Sequence, residues 1–148
     1  MRISLLRNGK RSPIFNSMKY QETTRMVTIS VEPIFLEDDS EPEKGTYVWA
    51  YHITIANDGY ETIQLISRHW KITDGMGRTQ EVRGEGVVGE QPTLQPGESF
   101  EYTSGVPLQT PSGFMGGSYE MISAVGERLN IMVPTFSLDS PYEAHTVN

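Results

Sequence analysis

From Arg25 onward, apolar and polar residues alternate with a period of two along most of this chain, as they do in half-buried β-strands. In RMVTISVEPIFLED, Val27, Ile29 and Val31 share one face. Pro33, which has no N–H to offer a neighbouring strand, marks an edge or a bulge. TYVWAYHITIAND sets Tyr47, Trp49, Tyr51, Ile53 and Ile55 on one side, and Asn57, Asp58 and Gly59 supply the turn that follows. The next run, TIQLISRHWKIT, changes phase: Ile63 and Leu65 point one way, Ile66, Trp70 and Ile72 the other. A β-bulge near Leu65 brings both sets onto one core. Asp74-Gly75-Met76-Gly77 reads as a turn and RTQEVR as a polar edge strand. In LQPGES, Pro96 sets φ for the second position of a tight turn and Gly97 accepts positive φ at the third. SFEYTSG alternates Phe100, Tyr102 and Ser104, and SYEMISAV with RLNIMVPTFSL makes a closing hairpin through Gly126-Glu127.

No segment carries a 3.6-residue apolar stripe with caps. Seven or eight short strands separated by turn residues predict an all-β antiparallel sandwich or barrel, with the sandwich favoured. Before Arg25 the alternation disappears. MRISLLRNGKRSPIFNSMKYQETT is therefore read as a flexible basic extension (residues 1–24), followed by one domain (25–139) and a C-terminal tail (140–148). The apolar stretch ISLL is too short for a secretory signal. The basic, acid-poor start faintly resembles an organelle transit peptide, but an upstream extension with the natural start at Met18 is the simpler reading.

Composition narrows the partners. At 148 residues the chain is sized for one domain with a sizeable core. No apolar run approaches the ~18 residues of a membrane span. Cysteine is absent, which excludes a disulfide framework and cysteine-ligated metal and fits a reducing compartment. The net charge of -7 conceals an asymmetry: residues 1–25 carry +5, leaving -12 on the remainder. So acidic a body repels phosphate backbones, which argues against nucleic acid and favours a basic partner or a cation.

One motif points to a nucleotide. In RGEGVVGEQP, Gly84, Gly86 and Gly89 have the GxGxxG spacing of a dinucleotide-binding loop. That loop works only where a helix follows, lending its N-terminus to the pyrophosphate. Here Pro92, Pro96 and Gly97 follow within eight residues of Gly89 and forbid a helix, while Glu85 and Glu90 place negative charge beside the glycines. A glycine-rich arch between strands, with Val87 and Val88 dipping into the core, is the reading that remains. The alternative is an anion nest of backbone N–H groups over Gly84–Gly89, partnered by Arg83, that would take phosphate or pyrophosphate.

GEGVVGEQP, LQPGESFEYTSG, TPSGFMGGSYEM and the closing VPTFSL, in that order, resemble the bacterial ApaG family, as does YVWAYHITIANDGYETIQLISRHWKITDGMGRTQEV before them. The likeness spans about residues 25–139. It implies a fibronectin type III-like, immunoglobulin-like sandwich in a bacterial cytoplasmic protein with no established catalytic activity and no cofactor. It further implies a gene often beside that of a diadenosine tetraphosphatase, and a genetic link to cobalt tolerance and magnesium efflux. Related domains in eukaryotic F-box proteins and in a polymerase-interacting protein imply a protein-interaction module.

Other candidate chemistry is thinner. The acidic stretch EDDSEPEK offers oxygen ligands on Asp38, Asp39 and Glu41, flanked by Glu37 and Glu43, but lacks the glycine and spacing of an EF-hand and reads as a solvated hairpin loop. His52 and His69 both point away from the core. If their strands pair, the two imidazoles could share a weak Co²⁺ or Ni²⁺ site, and His145 lies far along the chain. Ser104 and His69 can be imagined together as nucleophile and base, but nothing in the sequence places them together, and Gly-x-Ser-x-Gly is absent. QTPSGFMGG sets Phe114 and Met115 between glycines in what reads as a surface connection, where an exposed Phe-Met pair would suit a protein partner. The expectation is a non-catalytic binding module that meets a protein partner and bears on cobalt and magnesium homeostasis. Direct nucleotide or weak divalent-cation binding is the alternative.

Overall fold

The period-two runs fold as strands. The computed structural model describes residues 19–142 and, before them, only the backbone of β1 (Leu6–Arg7) and β2 (Lys10–Arg11), which pair with each other. The expectations for the chain start at Met18, for a targeting segment and for His145 lie outside the described residues.

β4 (Val27–Phe35), β5 (Tyr47–Asn57) and β9 (Ser99–Leu108) form one antiparallel sheet with β3 (Tyr20–Thr24) on its far edge, in the order β3-β4-β5-β9. β6 (Ile63–Asp74), β7 (Thr79–Glu85), β10 (Ser112–Ser123) and β11 (Arg128–Asp139) form the other, in the order β11-β10-β6-β7, with the short β8 (Thr93–Leu94) against the start of β6. The described residues contain no α-helix. The two sheets face each other as a sandwich, and β4-β5-β9 opposite β11-β10-β6-β7 is the fibronectin type III arrangement.

The run Tyr20–Thr24, left in the extension by the sequence pattern, is a strand. It pairs residue by residue with Val31–Val27 through a two-residue turn in which Arg25 (φ 51) and Met26 (φ 65) are both left-handed. A polar sequence suffices there because an edge strand needs only its backbone paired. Tyr20 is its anchor, with its ring 6.2 Å from Phe136. At the other end of the domain, residues 140–142 are held: Ser140 N–H donates to the Pro111 carbonyl, and the Tyr142 ring lies 6.1 Å from both Phe35 and Tyr47.

Two irregularities set the core. Glu120 faces Ser67 but Met121 faces Leu65, so Ile66 is the extra residue of the bulge expected near Leu65. Ile63, Leu65, Trp70 and Ile72 consequently all turn inward. On β11, Met115 faces Phe136 and Gly117 faces Val133, which leaves Pro134 and Thr135 opposite Gly116 and puts Val133 and Phe136 on the same side. Trp70 is central, its ring 5.4 to 6.3 Å from those of Tyr51, Tyr119 and Phe136.

Residues 112–117 correct the reading of a surface connection. They belong to β10, where alternation sends Met115 into the core (1% exposed) and leaves Phe114 half-exposed on the outside. The glycines are there for close backbone packing. A Cβ on Gly117 would sit 2.0 Å from the His69 carbonyl oxygen, and one on Gly113 2.5 Å from that of Thr73.

Candidate functional site

β7 ends one sheet and β9 ends the other, and both lie on the same side of the sandwich. Between them the sheets leave an open cleft of about 630 Å³. Its floor is Tyr51, Trp70, Tyr102, Ser104 and Met115; its rims are Gln80, Val82 and Glu85 from β7, the Val87–Gly89 turn, and Gly105, Val106 and Pro107 from β9. Arg68 enters from β6. Beyond the bulge at Ile66 it shares the inward parity of Trp70 and Ile72.

The glycine stretch builds the wall beside Arg68. Val87 and Glu90 exchange N–H···O bonds of 2.8 and 2.9 Å, closing a two-residue turn through Val88 (φ 43) and Gly89 (φ 82). Gly86, at φ 63, donates its N–H to the Ile66 carbonyl. Val87 is fully buried and Val88 packs against the core, as the arch reading expects. The Arg68 guanidinium donates through Nη1 to the Glu85 and Gly86 carbonyls at 3.0 and 2.9 Å. Gly84 stands across from it, and a Cβ there would lie 2.9 Å from the guanidinium, so the missing side chain makes room for Arg68.

Three phenols surround that charge. Burial raises the Tyr51 hydroxyl above its ordinary pKa, although its bond to Ser104 and the nearby Arg68 charge oppose the shift. Burial also pushes up Tyr102 and Tyr119, whose hydroxyls bond each other, and Arg68 again opposes. At neutral pH all three are uncharged hydroxyl groups.

The anion candidates are only partly together. Gly84, Gly86 and Gly89 do share the arch, but the N–H groups of Gly86, Val87 and Glu90 are given to the chain's own carbonyls. Arg83 points outward on β7 and pairs with Glu81 at 3.2 Å. The guanidinium at the arch is Arg68, which the sequence reading missed; counting inward positions back from Trp70 in twos finds it.

The metal candidates lie apart. His52 and His69 sit on strands of different sheets and on opposite outer faces, so the pairing that would have joined them does not occur. His52 bonds Thr103 and Glu101, and His69 bonds Glu81, all at 2.8 Å. The His69 bond holds the Glu81 carboxyl below its usual range, with the charges of Arg83 and Lys71 adding to it. Ser104 is on the inner face of β9, out of reach of His69 on the outer face of β6. Asp38, Asp39 and Glu41 lie in or beside two single 3-10 turns (Glu37–Asp39 and Pro42–Lys44). Ser40 pins these turns to the β4 end and to β5 by donating to the Leu36 carbonyl and accepting from Val48 N–H. Glu41 pairs with Lys44, and Glu37 accepts from Tyr142. Among the described residues, no three carboxylates or imidazoles group as a metal would need.

The fold thus defines a fibronectin type III-like sandwich with one open side. The ApaG domain model matches residues 37–123. Proteins named ApaG are similar over nearly their whole length: that of Rhodospirillum centenum is 59% identical over 123 residues, 83% of this chain and 95% of the relative. That of Bradyrhizobium sp. strain ORS 278 is 60% identical over 129 residues, 87% of this chain and 99% of the relative. The crystal structure of the Bordetella pertussis ApaA protein superposes with a TM-score of 0.76 at 49% identity, covering 78% of this chain and 94% of that one. The chain belongs to the ApaG family.

Proposed function

We propose that this ApaG-family domain is a non-catalytic cytoplasmic binding module that holds an extended segment of a partner protein in the cleft between β7 and β9. The observation that carries the reading is that both sheets end, unpaired among the described residues, at the same cleft. An edge strand offers backbone N–H and C=O groups to another strand, and side chains of an added strand would drop into the apolar cleft in alternation. β9 carries Pro107, which gives no N–H, so β7 is the edge that pairs. Trp70, Val82, Val87, Val106 and Met115 line the space into which the added side chains would fall.

In this reading the link to cobalt and magnesium runs through the partner. Among the described residues, His52, His69, Glu37 and Glu41 are engaged with their own neighbours, and no three carboxylates or imidazoles group as a metal would need. The nucleotide alternative loses its main support, because the arch spends N–H groups on itself and Arg83 faces away.

The test is positional cross-linking in cells. A photoreactive amino acid at Gln80 or Val82, on the β7 rim, should join this chain to one discrete segment of a protein. The same probe at Tyr60, in the β5–β6 connection, should not. Adducts from Tyr60 alone, or none from either rim position, would refute the cleft as the binding surface.

A further inference from the structure

Five arginine side chains are described, and four of them meet a carboxylate: Arg25 with Glu127, Arg78 with Asp74, Arg83 with Glu81 and Arg128 with Glu120, all within 3.2 Å. Arg68 is the exception. It is half-buried, it faces the cleft, and its hydrogen bonds run to two neutral carbonyls. In a chain with 19 acidic and 12 basic residues, a half-buried guanidinium whose hydrogen bonds all run to neutral carbonyls is set apart from the other described arginines.

Resting on the cleft being the binding surface, we propose that Arg68 is the anchor for a carboxylate of the bound segment, supplied by an acidic side chain or by a free C terminus. The site is built for this. The two carbonyls hold one guanidinium nitrogen, Gly84 leaves space for the group, and the remaining N–H donors of the fork suit the two oxygens of a carboxylate. The hydroxyls of Tyr51, Tyr102 and Ser104 line the same cleft as neutral polar groups. Among the described residues, the only other charged one lining it is Glu85, on the rim. Arg68 and Glu85 together leave the lining neutral, so a singly charged carboxylate on Arg68 brings one net negative charge near Glu85 and a phosphate dianion two, which disfavours the phosphate.

The experiment is selection of random peptides on the full chain, followed by titration of the best synthetic peptides against it. The proposal expects each to carry a carboxylate that matters. Replacing its Glu by Gln, or amidating its C terminus, should weaken binding about tenfold or more, and which of the two does so identifies the source. Arg68→Gln should weaken the acidic peptide by the same factor and leave its uncharged analogue unchanged. Arg68→Lys should recover part of the loss. Because the peptide changes are read on unaltered protein, a poorly folded Arg68 variant cannot mask the result.

Peptides that bind equally well in acidic, Gln and amidated forms would overturn the carboxylate anchor while leaving the cleft reading standing. If the chain selects no peptide, both fall. Pyrophosphate displacing the peptide with a tighter affinity than the peptide itself would assign Arg68 to phosphate and overturn the proposal.

Discussion

Replacing Gly86 by Ala puts a Cβ 2.3 Å from the Glu90 carbonyl oxygen and 3.0 Å from its carbonyl carbon. Two effects follow. At φ 63, a residue with a Cβ costs about 1–2 kcal/mol in the left-handed region. The clash is with backbone, so the arch must also open, which strains the paired Val87–Glu90 bonds and draws Val87 toward water. Full exposure of such a side chain costs about 1.5–3 kcal/mol. Together the change should cost about 3 kcal/mol, which lowers the melting midpoint of a domain this size by roughly 6–12 °C. Gly89→Ala is the control in the same turn. Its φ is 82, yet nothing lies within 4 Å of its Cβ, so only the same conformational cost of about 1–2 kcal/mol applies. Urea titration should give a lower midpoint at unchanged slope for both, with Gly86→Ala clearly the worse. Equal midpoints for the two variants would refute the steric reasoning and the arch geometry with it.

Met115→Ala should cost about 2–5 kcal/mol, as removal of a buried large side chain does, whereas Phe114→Ala should stay within about 1 kcal/mol. Urea midpoints of the two single variants separate core from surface. A version of the protein beginning at Arg25 lacks β3, which bares the β4 edge and removes Tyr20 from Phe136. It should melt measurably lower than one beginning at Met18, which keeps β3, and equal melting would show that β3 is dispensable. Burial holds the Tyr51, Tyr102 and Tyr119 hydroxyls above the ordinary tyrosine value of about 10, so the folded state binds those protons more tightly than the unfolded. Their contribution to stability is complete below about pH 10 and is lost as pH rises beyond it. Tyrosinate absorbance should therefore report these groups ionising only as the protein unfolds in alkali.

Much of this fold is legible in the chain because the inward positions of β5 from Tyr47 to Ile55 are all large and apolar, and because the phase change at Ile63–Ile72 has one structural remedy. β3 is not legible, since YQETT has one anchoring side chain and its pairing is carried by backbone. The strand through Phe114 and Met115 is hidden by Gly113, Gly116 and Gly117, which have no side chain to show alternation yet permit β10 to approach β6 closely at Gly113 and Gly117 and β11 at Gly116. Which strands pair is a property of the whole topology, and that is why His52 and His69 looked like neighbours. Arg68 was within reach of the pattern, but a charged residue beside a phase shift reads as surface until the bulge is placed.

The most direct test of the central claim is amide hydrogen exchange along the domain, free and with a selected peptide bound. Binding in the cleft predicts slowed exchange in β7, Thr79–Glu85, and in the Val87–Glu90 turn, with the far edge at β3 and the β5–β6 connection carrying Tyr60 unchanged. Protection confined to β3 or to the Tyr60 end, with β7 exchanging as in the free protein, would contradict it.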